Sequence, residues 1–197
     1  MKIVPMTNRA KRAAALMKVW RLILIFALVF PSGVNADSVA EEYSVKAAFL
    51  FHFAQFVEWP ETAFASPGSP LTYCTLGQDP FHGALDATLS GKTIGGRPLQ
   101  VVHLKASQDL QNCHVLFLGA SEKKSIPVAL SSLKGKPVLT IGETGHFVDA
   151  GGVIGFSLDE NKIRFEINLG AAETAKLRIN SRLLSLAKQV VGAHGGT

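Results

Sequence analysis

Apolar residues between positions 43 and 60 recur at the spacing of an α-helix, in two adjacent stripes. One stripe is Tyr43, Ala47, Leu50, Ala54 and Val57, and the other is Phe49, Phe53 and Phe56. The polar remainder is thin, so the predicted helix is far more aromatic than one buried face requires. Such a helix must be covered by its own domain or by a partner.

The chain after this helix alternates between strand-like and helix-like segments. Strands are predicted at 71–76, 92–94, 97–104, 115–118, 136–141 and 177–179, and of these 115–118 is a continuous apolar run typical of a buried strand. Two further runs, 153–158 and 163–169, are separated by turn residues and predict a hairpin. Helices are predicted with Asp79 and Ser121 as N-caps, over 170–176, and from Asn180 or Ser181 to Val190. This order predicts an α/β fold, a layered domain with a mixed β-sheet flanked by helices.

Residues 1–36 have the three parts of a secretory signal peptide. Six basic residues and no acidic one occur there, the run Leu22–Phe30 is apolar, and small residues precede Asp37. The alternative is a retained anchor, but nine apolar residues are fewer than the roughly 20 that a spanning helix needs. We predict a signal peptide at 1–36 and a single domain at 37–197, with Met1 and Met17 both open as the start.

Cleavage of this leader would change the charge of the protein. The full chain has 20 Lys and Arg against 15 Asp and Glu, a net charge of +5. Loss of the six basic residues leaves 14 against 15, a net charge of −1. A near-neutral domain without a basic run lacks the electrostatic footprint of a nucleic-acid-binding protein, so no nucleic-acid partner is predicted.

The chain has two cysteines, Cys74 and Cys113, and each lies in or next to a predicted strand. In an exported protein an even pair predicts a disulfide, which would stabilise the fold by roughly 3–4 kcal/mol. The alternative is two unpaired cysteines in the core. A catalytic redox pair is disfavoured because the Cys-x-x-Cys spacing is absent.

Several segments, in their order, resemble the YfiR-like family of periplasmic proteins. They are YSVKAAFL (43–50) with Phe53 and FVEWP (56–60), LG (76–77) with DPF (79–81), CHVLF (113–117), VLTIG (138–142), GGVI (151–154) with Phe156, RFEIN (164–168), and LRI (177–179) with Leu183 and Leu184. The matched segments extend over residues 43–187. No single segment is specific for the family, but the order of the segments and their combined extent are specific for it.

The resemblance implies a periplasmic α/β domain, often a homodimer, that acts as a negative regulator. Its partner would be the periplasmic sensor domain of an inner-membrane diguanylate cyclase, held inactive by the bound protein. Release would raise cyclic di-GMP and favour biofilm formation. Family members can carry a second cysteine pair near the glycine-rich segment, and this chain has none there. Redox control through a second bridge is therefore not expected.

Two sets of residues are candidate binding sites. The aromatic set is Phe49, Phe53, Phe56 and Trp59, which would contact a protein partner or else fill the core. The polar set is Arg164, Glu166, Arg178 and Asn180, which would converge on a small molecule if their two strands were neighbours. The alternative for the polar set is solvated charges on strand edges. A periplasmic small-molecule (amino-acid-like) binding protein is therefore the second functional hypothesis.

No enzymatic activity, cofactor or metal site is predicted. The six histidines (52, 82, 103, 114, 146 and 194) have no paired spacing, so a metal site would require tertiary convergence. Ser157 lacks the second glycine of a nucleophile elbow. The glycines from 142 to 155 lack the phosphate-loop pattern and are interpreted as turn residues. An exported hydrolase has no sequence support beyond the fold.

Overall fold

The computed structural model describes residues 36–105, 107–160 and 162–192, and within them ten β-strands and five α-helices are found. The strands are β1 (Val57–Glu58), β2 (Leu71–Leu76), β3 (Thr93–Ile94), β4 (Arg97–Leu104), β5 (Val115–Leu118), β6 (Leu139–Gly142), β7 (Ile154–Asp159), β8 (Lys162–Asn168), β9 (Arg178–Ile179) and β10 (Gln189–Val191). The helices are α1 (Ala36–Gln55), α2 (Ala84–Leu89), α3 (Ile126–Ser132), α4 (Leu169–Thr174) and α5 (Ser181–Leu184). The predicted signal peptide lies outside the described residues except for its last residue, Ala36, with which α1 begins.

Eight strands form one mixed sheet in the order β10-β8-β7-β6-β5-β2-β4-β3, and β1 pairs separately with β9. The central strands β4, β2, β5, β6 and β7 are parallel. β3 runs antiparallel to β4, and β8 runs antiparallel to β7, with which it forms the predicted hairpin. β10 pairs with the other edge of β8 in the parallel direction. The predicted α/β fold with a mixed sheet is confirmed. None of the helices in the described part of the chain is long and apolar enough to cross a membrane.

Alternating side chains of the central strands fill two separate cores, as the strand period of two requires. On β2, Tyr73 belongs to the larger core and Cys74 to the smaller one. The larger core contains buried residues of α1, α2, α4 and α5, and the smaller one contains those of α3. Every residue of β2 and β5 is buried, which explains why the run at 115–118 is continuously apolar and why Thr72 and Thr75 of β2 are buried as well.

A disulfide joins Cys74 on β2 to Cys113, two residues before β5, with the Cα atoms 5.8 Å apart. The strands are direct neighbours, and Cys74 pairs in register with Leu116. Both cysteines are almost fully buried in the smaller core. The predicted bridge is confirmed.

The glycine-rich segment makes room for an aromatic ring. A Cβ atom at Gly142 would lie 2.3 Å from the Phe147 ring, and one at Gly152 would lie 2.0 Å from it. Phe147 is buried in the smaller core, so a side chain at either glycine would displace it. Only Gly151 of this group has the left-handed backbone expected of a turn glycine, with φ of +96°. The interpretation as turn residues is therefore correct for Gly151 but incomplete.

Three predicted helix details are wrong. Asp79 accepts a hydrogen bond from the Phe81 N–H within a turn, and α2 begins only after Gly83. Ser121 lies in a short 3₁₀ helix, and α3 follows Ser125. The last helix ends at Leu184, and the chain then forms β10 instead of continuing helically to Val190.

His114 fastens the loop between β1 and β2 to the sheet. Its Nε2 lies 3.1 Å from the carbonyl oxygen of Ala63. Its ring stacks on Phe64 with centroids 4.4 Å apart, and the Arg97 guanidinium lies 3.6 Å from the centroid of the same phenyl ring. Arg97 also donates to two carbonyls of the turn at 66–69. The loop is therefore held by one neutral imidazole and one cation.

Protonation of His114 is expected to destabilise the protein in mild acid. Nδ1 accepts a hydrogen bond from the Thr72 N–H at 3.1 Å, so Nε2 carries the hydrogen that is donated to Ala63. Burial lowers the pKa of His114 below its usual 6.5, the Arg97 charge lowers it further, and the Ala63 carbonyl opposes both. Because the folded pKa is the lower one, the unfolded chain takes up this proton first. The free energy of unfolding should thus fall between pH 6.5 and the folded pKa, by at most about 1.4 kcal/mol per pH unit.

The measurement is denaturant unfolding of the wild type and of His114→Gln between pH 8 and pH 5. The variant should lose the part of the pH dependence that His114 causes. His52→Gln serves as the control, because His52 is exposed and contacts only Gln55 among the described polar groups. Equal slopes for the wild type and His114→Gln would contradict the prediction.

Candidate functional site

Two of the aromatic residues of α1, Phe49 and Phe53, pack against phenyl rings of the β7–β8 hairpin. Phe53 is 1% exposed, and its ring centroid lies 4.8 Å from that of Phe165 and 5.7 Å from that of Phe156. Phe49 is half-buried, and its centroid lies 5.9 Å from each of the same two rings. Much of the aromatic excess of α1 therefore serves the core.

The four residues of the predicted partner-binding set lie in different environments. Phe53 belongs to the larger core, and Phe56 and Trp59 pack against that core while keeping partial exposure. The indole N–H of Trp59 is buried without a hydrogen-bond partner in the described part of the chain. Phe49 alone of the four lines the groove described next. Partner binding by the set stays a prediction.

A groove of about 530 Å³ lies between α1 and the β7–β8 hairpin. Its apolar wall consists of Val45, Phe49, Leu158 and Ile163. Val45 is 42% exposed and Leu158 is 62% exposed, although both are large apolar side chains. Its polar rim consists of Ser38, Glu41, Glu42 and Lys162. A concave apolar surface with a charged rim is the arrangement found at protein–protein interfaces.

One wall of the groove is fixed by a buried ion pair. The Lys46 ammonium of α1 contacts Glu143 Oε2 at 2.6 Å and Glu42 Oε1 at 2.5 Å. Glu143 follows β6 directly, and its Oε1 accepts hydrogen bonds from the Tyr43 hydroxyl at 3.0 Å and the Ala120 N–H at 2.8 Å. The side chains of Lys46 and Glu143 are 6% and 7% exposed. We call Tyr43, Lys46, Glu143 and the Ala120 N–H the clasp.

The clasp joins α1 to the carboxyl edge of the parallel strands, where β5 and β6 end. The Lys46 ammonium also lies 4.5 Å from the Tyr43 ring centroid, so the cation is enclosed on several sides. Burial raises the pKa of the Tyr43 hydroxyl, and the nearby negative charge of Glu143 raises it further. Tyr43 therefore stays a neutral hydrogen-bond donor at physiological pH. A second cavity of about 290 Å³ borders the clasp.

The structure separates the members of the predicted ligand-binding set. Arg164 and Glu166 lie on β8, whose neighbours are β7 and β10. Arg178 lies on β9, which pairs with β1, and its guanidinium Nε is 3.7 Å from exposed Glu58. The Asn180 side chain caps α5 by accepting from the Arg182 N–H. The premise that β8 and β9 are neighbours is wrong, so small-molecule binding by this set stays a prediction without that support.

Sequence reasoning missed the groove and the clasp for one reason. Lys46 and Glu143 are 97 positions apart, and neither belongs to a spaced motif. The one available signal was Lys46 itself, a cation one position before a buried stripe residue of a strongly apolar helix. A cation in that place requires a buried counter-charge, but the sequence does not indicate which acid supplies it.

Two solved structures have a weak similarity to this chain. One is a conserved domain protein from Vibrio cholerae O1 biovar El Tor, with 13% identity, a TM-score of 0.49, and coverage of 75% of this chain and 60% of that one. The other is the ABC domain in complex with L-Trp from Streptococcus pneumonia, with 11% identity, a TM-score of 0.44, and coverage of 61% and 56%. This chain thus spans less than two thirds of either. Scores below 0.5 establish neither a common fold nor a common function.

A family model gives a firmer assignment. The model described as YfiR/HmsC-like, DUF4154, matches residues 43–188, which is more than half of the 197-residue chain. The match begins at Tyr43 of the clasp and includes every strand of the eight-stranded sheet except β10. It confirms the family to which the sequence segments pointed. The chain belongs to the YfiR/HmsC-like family, and this membership supports a regulatory role in cyclic di-GMP signalling.

Proposed function

We propose that this protein is a periplasmic repressor that binds the sensor domain of an inner-membrane diguanylate cyclase and lowers cyclic di-GMP output. We further propose that the groove between α1 and the β7–β8 hairpin contacts the sensor. The observation that carries this proposal is the exposure of Val45 and Leu158 in one concave surface. Family membership supports a regulatory protein partner in this signalling system.

The repressor would act by shifting the population of cyclase states. A bound protein changes that population only if it binds the inactive state more tightly than the active one. A shift from 1:99 to 99:1 requires a difference of about 5.5 kcal/mol in binding free energy. A micromolar complex already has a binding free energy of about 8 kcal/mol, so a modest interface can supply the difference.

The groove suits this task because its walls are held firmly. The clasp holds α1 at the ends of β5 and β6, and the Phe49–Phe156 and Phe49–Phe165 contacts pack α1 against the hairpin. A rigid concave surface loses little conformational entropy when it binds. Glu41, Glu42 and Lys162 on the rim would select the orientation of the partner.

Replacing Leu158 with aspartate is expected to abolish repression. The charge would stand at an exposed apolar position of the groove and would be desolvated in a complex. Cellular cyclic di-GMP should rise to the level of a strain that lacks the protein, provided that the cyclase is expressed. Cyclic di-GMP quantified in extracts, together with crosslinking at position 158 to the purified sensor domain, gives the measurement.

Val128→Asp is the matched control for this experiment. Val128 is 67% exposed on α3, the helix that packs on the smaller core. It should leave cyclic di-GMP and crosslinking unchanged. Repression that survives Leu158→Asp would refute the proposal that the groove contacts the sensor. Unchanged cyclic di-GMP on deletion of the protein would refute the repressor function itself.

We also propose that the protein forms a homodimer, which sedimentation at several protein concentrations would test.

A further inference from the structure

The fold brings together two carboxylates and an imidazole that no sequence spacing connects. One ligand atom from each of Asp79, Asp86 and His103 lies within 4.8 Å of the other two. Asp86 Oδ2 is 3.3 Å from His103 Nε2. The three residues are partly or largely exposed, so an ion from solution can reach them.

Three different elements supply these groups. Asp79 lies in the loop after β2, where its carboxylate accepts a hydrogen bond from the Phe81 N–H. Asp86 is in the first turn of α2, and His103 lies near the end of β4. β2 and β4 are parallel neighbours, so their ends deliver the loop and the histidine to the same edge of the sheet. A bound ion would therefore tie α2 and its preceding loop to β4.

A buried hydroxyl orients the histidine. Thr75 is fully buried, is the register partner of His103, and its Oγ1 lies 2.8 Å from His103 Nδ1. With Nδ1 engaged by this hydroxyl, Nε2 is the ring nitrogen that faces the carboxylate of Asp86. Histidine ligands of metal ions are held in this way, with one nitrogen hydrogen-bonded and the other on the metal.

A second histidine–aspartate pair, His146 and Asp149, lacks these surroundings. His146 Nδ1 lies 2.9 Å from Asp149 Oδ2, but these side chains are 91% and 63% exposed. No third ligand of the histidine, cysteine or carboxylate type joins that pair within the described ranges. A surface ion pair is therefore a sufficient explanation for His146 but not for the three-ligand cluster.

We propose that Asp79, Asp86 and His103 bind a divalent transition-metal ion, with Zn²⁺ as the best match. Two carboxylates and a neutral imidazole balance the charge of the ion, and zinc accepts both oxygen and nitrogen ligands. Metal–ligand distances of about 2.0–2.1 Å in a tetrahedron place ligand atoms about 3.3 Å apart, which is the separation of Asp86 and His103. Three protein ligands leave a fourth position for water or a group from a partner. The proposal is independent of the proposed function.

The test is a calorimetric titration of the untagged protein, produced from the full chain, with ZnCl₂ alone. One ion should bind per chain with a dissociation constant on the order of micromolar. His103→Ala and Asp86→Asn should each weaken binding by at least about tenfold, and Thr75→Val by about tenfold through loss of the orienting hydroxyl. His146→Ala is the matched control and should bind as the wild type does. Mg²⁺, which prefers oxygen ligands, should compete poorly.

The Asp86 side chain is half-exposed, so the isosteric change Asp86→Asn should leave the fold intact. Asp86→Asn therefore tests the site even if His103→Ala fails to fold. Zinc should also raise the melting temperature of the wild type and of His146→Ala, but not that of Asp86→Asn. Absence of binding at millimolar zinc would overturn the proposal. Equal weakening in His103→Ala and His146→Ala would overturn it as well, because it would show binding to exposed histidines in general.

Discussion

Replacing Cys74 and Cys113 together with alanine is expected to lower the free energy of unfolding by about 3–4 kcal/mol. The bridge closes a loop with a sequence separation of 39, and opening it restores that conformational freedom to the unfolded chain. Both cysteines are buried in the smaller core, so alanine avoids placing a hydroxyl there. The melting temperature should fall by about 10 °C, as measured by thermal unfolding.

A reducing agent separates the effect of the bridge from the effect of the lost sulfur atoms. The oxidised wild type should lose stability when the reductant is added, and the double alanine variant should not change. The reduced wild type should then resemble the variant, apart from a small packing difference. A double variant as stable as the oxidised wild type would show that the strands hold this loop closed without the bridge.

The strands and the bridge were predictable because local signals and fold-level rules agree there. The run at 115–118 is continuously apolar, and the run at 71–76 is apolar apart from two threonines, because both faces of β5 and β2 are covered. Two such strands favour neighbouring central positions, and this brings Cys74 and Cys113 within bonding distance. The hairpin was readable for a similar reason, since its turn residues separate two periodic runs.

The end of the chain was not predictable from local signals. The segment 181–190 has helical spacing, but the helix stops at Leu184. Residues Gln189–Val191 instead pair with β8, whose outer edge would otherwise leave backbone groups unpaired. Val190 and Val191 are β-branched and favour a strand once such an edge is available. The available edge of β8, and not the sequence of the segment itself, therefore determines that residues 189–191 form a strand instead of a helix.

The candidate sites were the least predictable part, because they depend on convergence. Phe49 was identified from its excess over one buried stripe, and it does line the groove. Leu158 and Ile163 gave no separate signal, because the strand period places Ile163 on the same face as Phe165 and Ile167 but does not show that the hairpin end of that face is left uncovered. The polar set was inferred from two strand faces, and the actual pairing of β9 with β1 removes the geometry that the inference required.

Replacing Lys46 with methionine is expected to lower the free energy of unfolding by about 3 kcal/mol. The change leaves the Glu143 carboxylate buried without its cation, and breaking one side of a buried pair costs about 3–5 kcal/mol. The lower end applies because the Tyr43 hydroxyl and the Ala120 N–H still donate to Glu143. Denaturant unfolding at neutral pH measures the loss.

A double-mutant cycle then separates the interaction energy of the Lys46–Glu143 pair from the effects of the two single substitutions. Lys46→Met with Glu143→Leu removes both charges, and it should be more stable than Lys46→Met alone because no unpaired charge stays buried. Lys188→Met is the matched control: its partner Asp159 lies 3.1 Å away, but the side chains are 44% and 46% exposed. Losing that exposed pair should cost below about 1 kcal/mol. Equal losses for Lys46→Met and Lys188→Met would mean that water reaches the clasp, and that α1 is not held to the carboxyl edge by a buried charge pair.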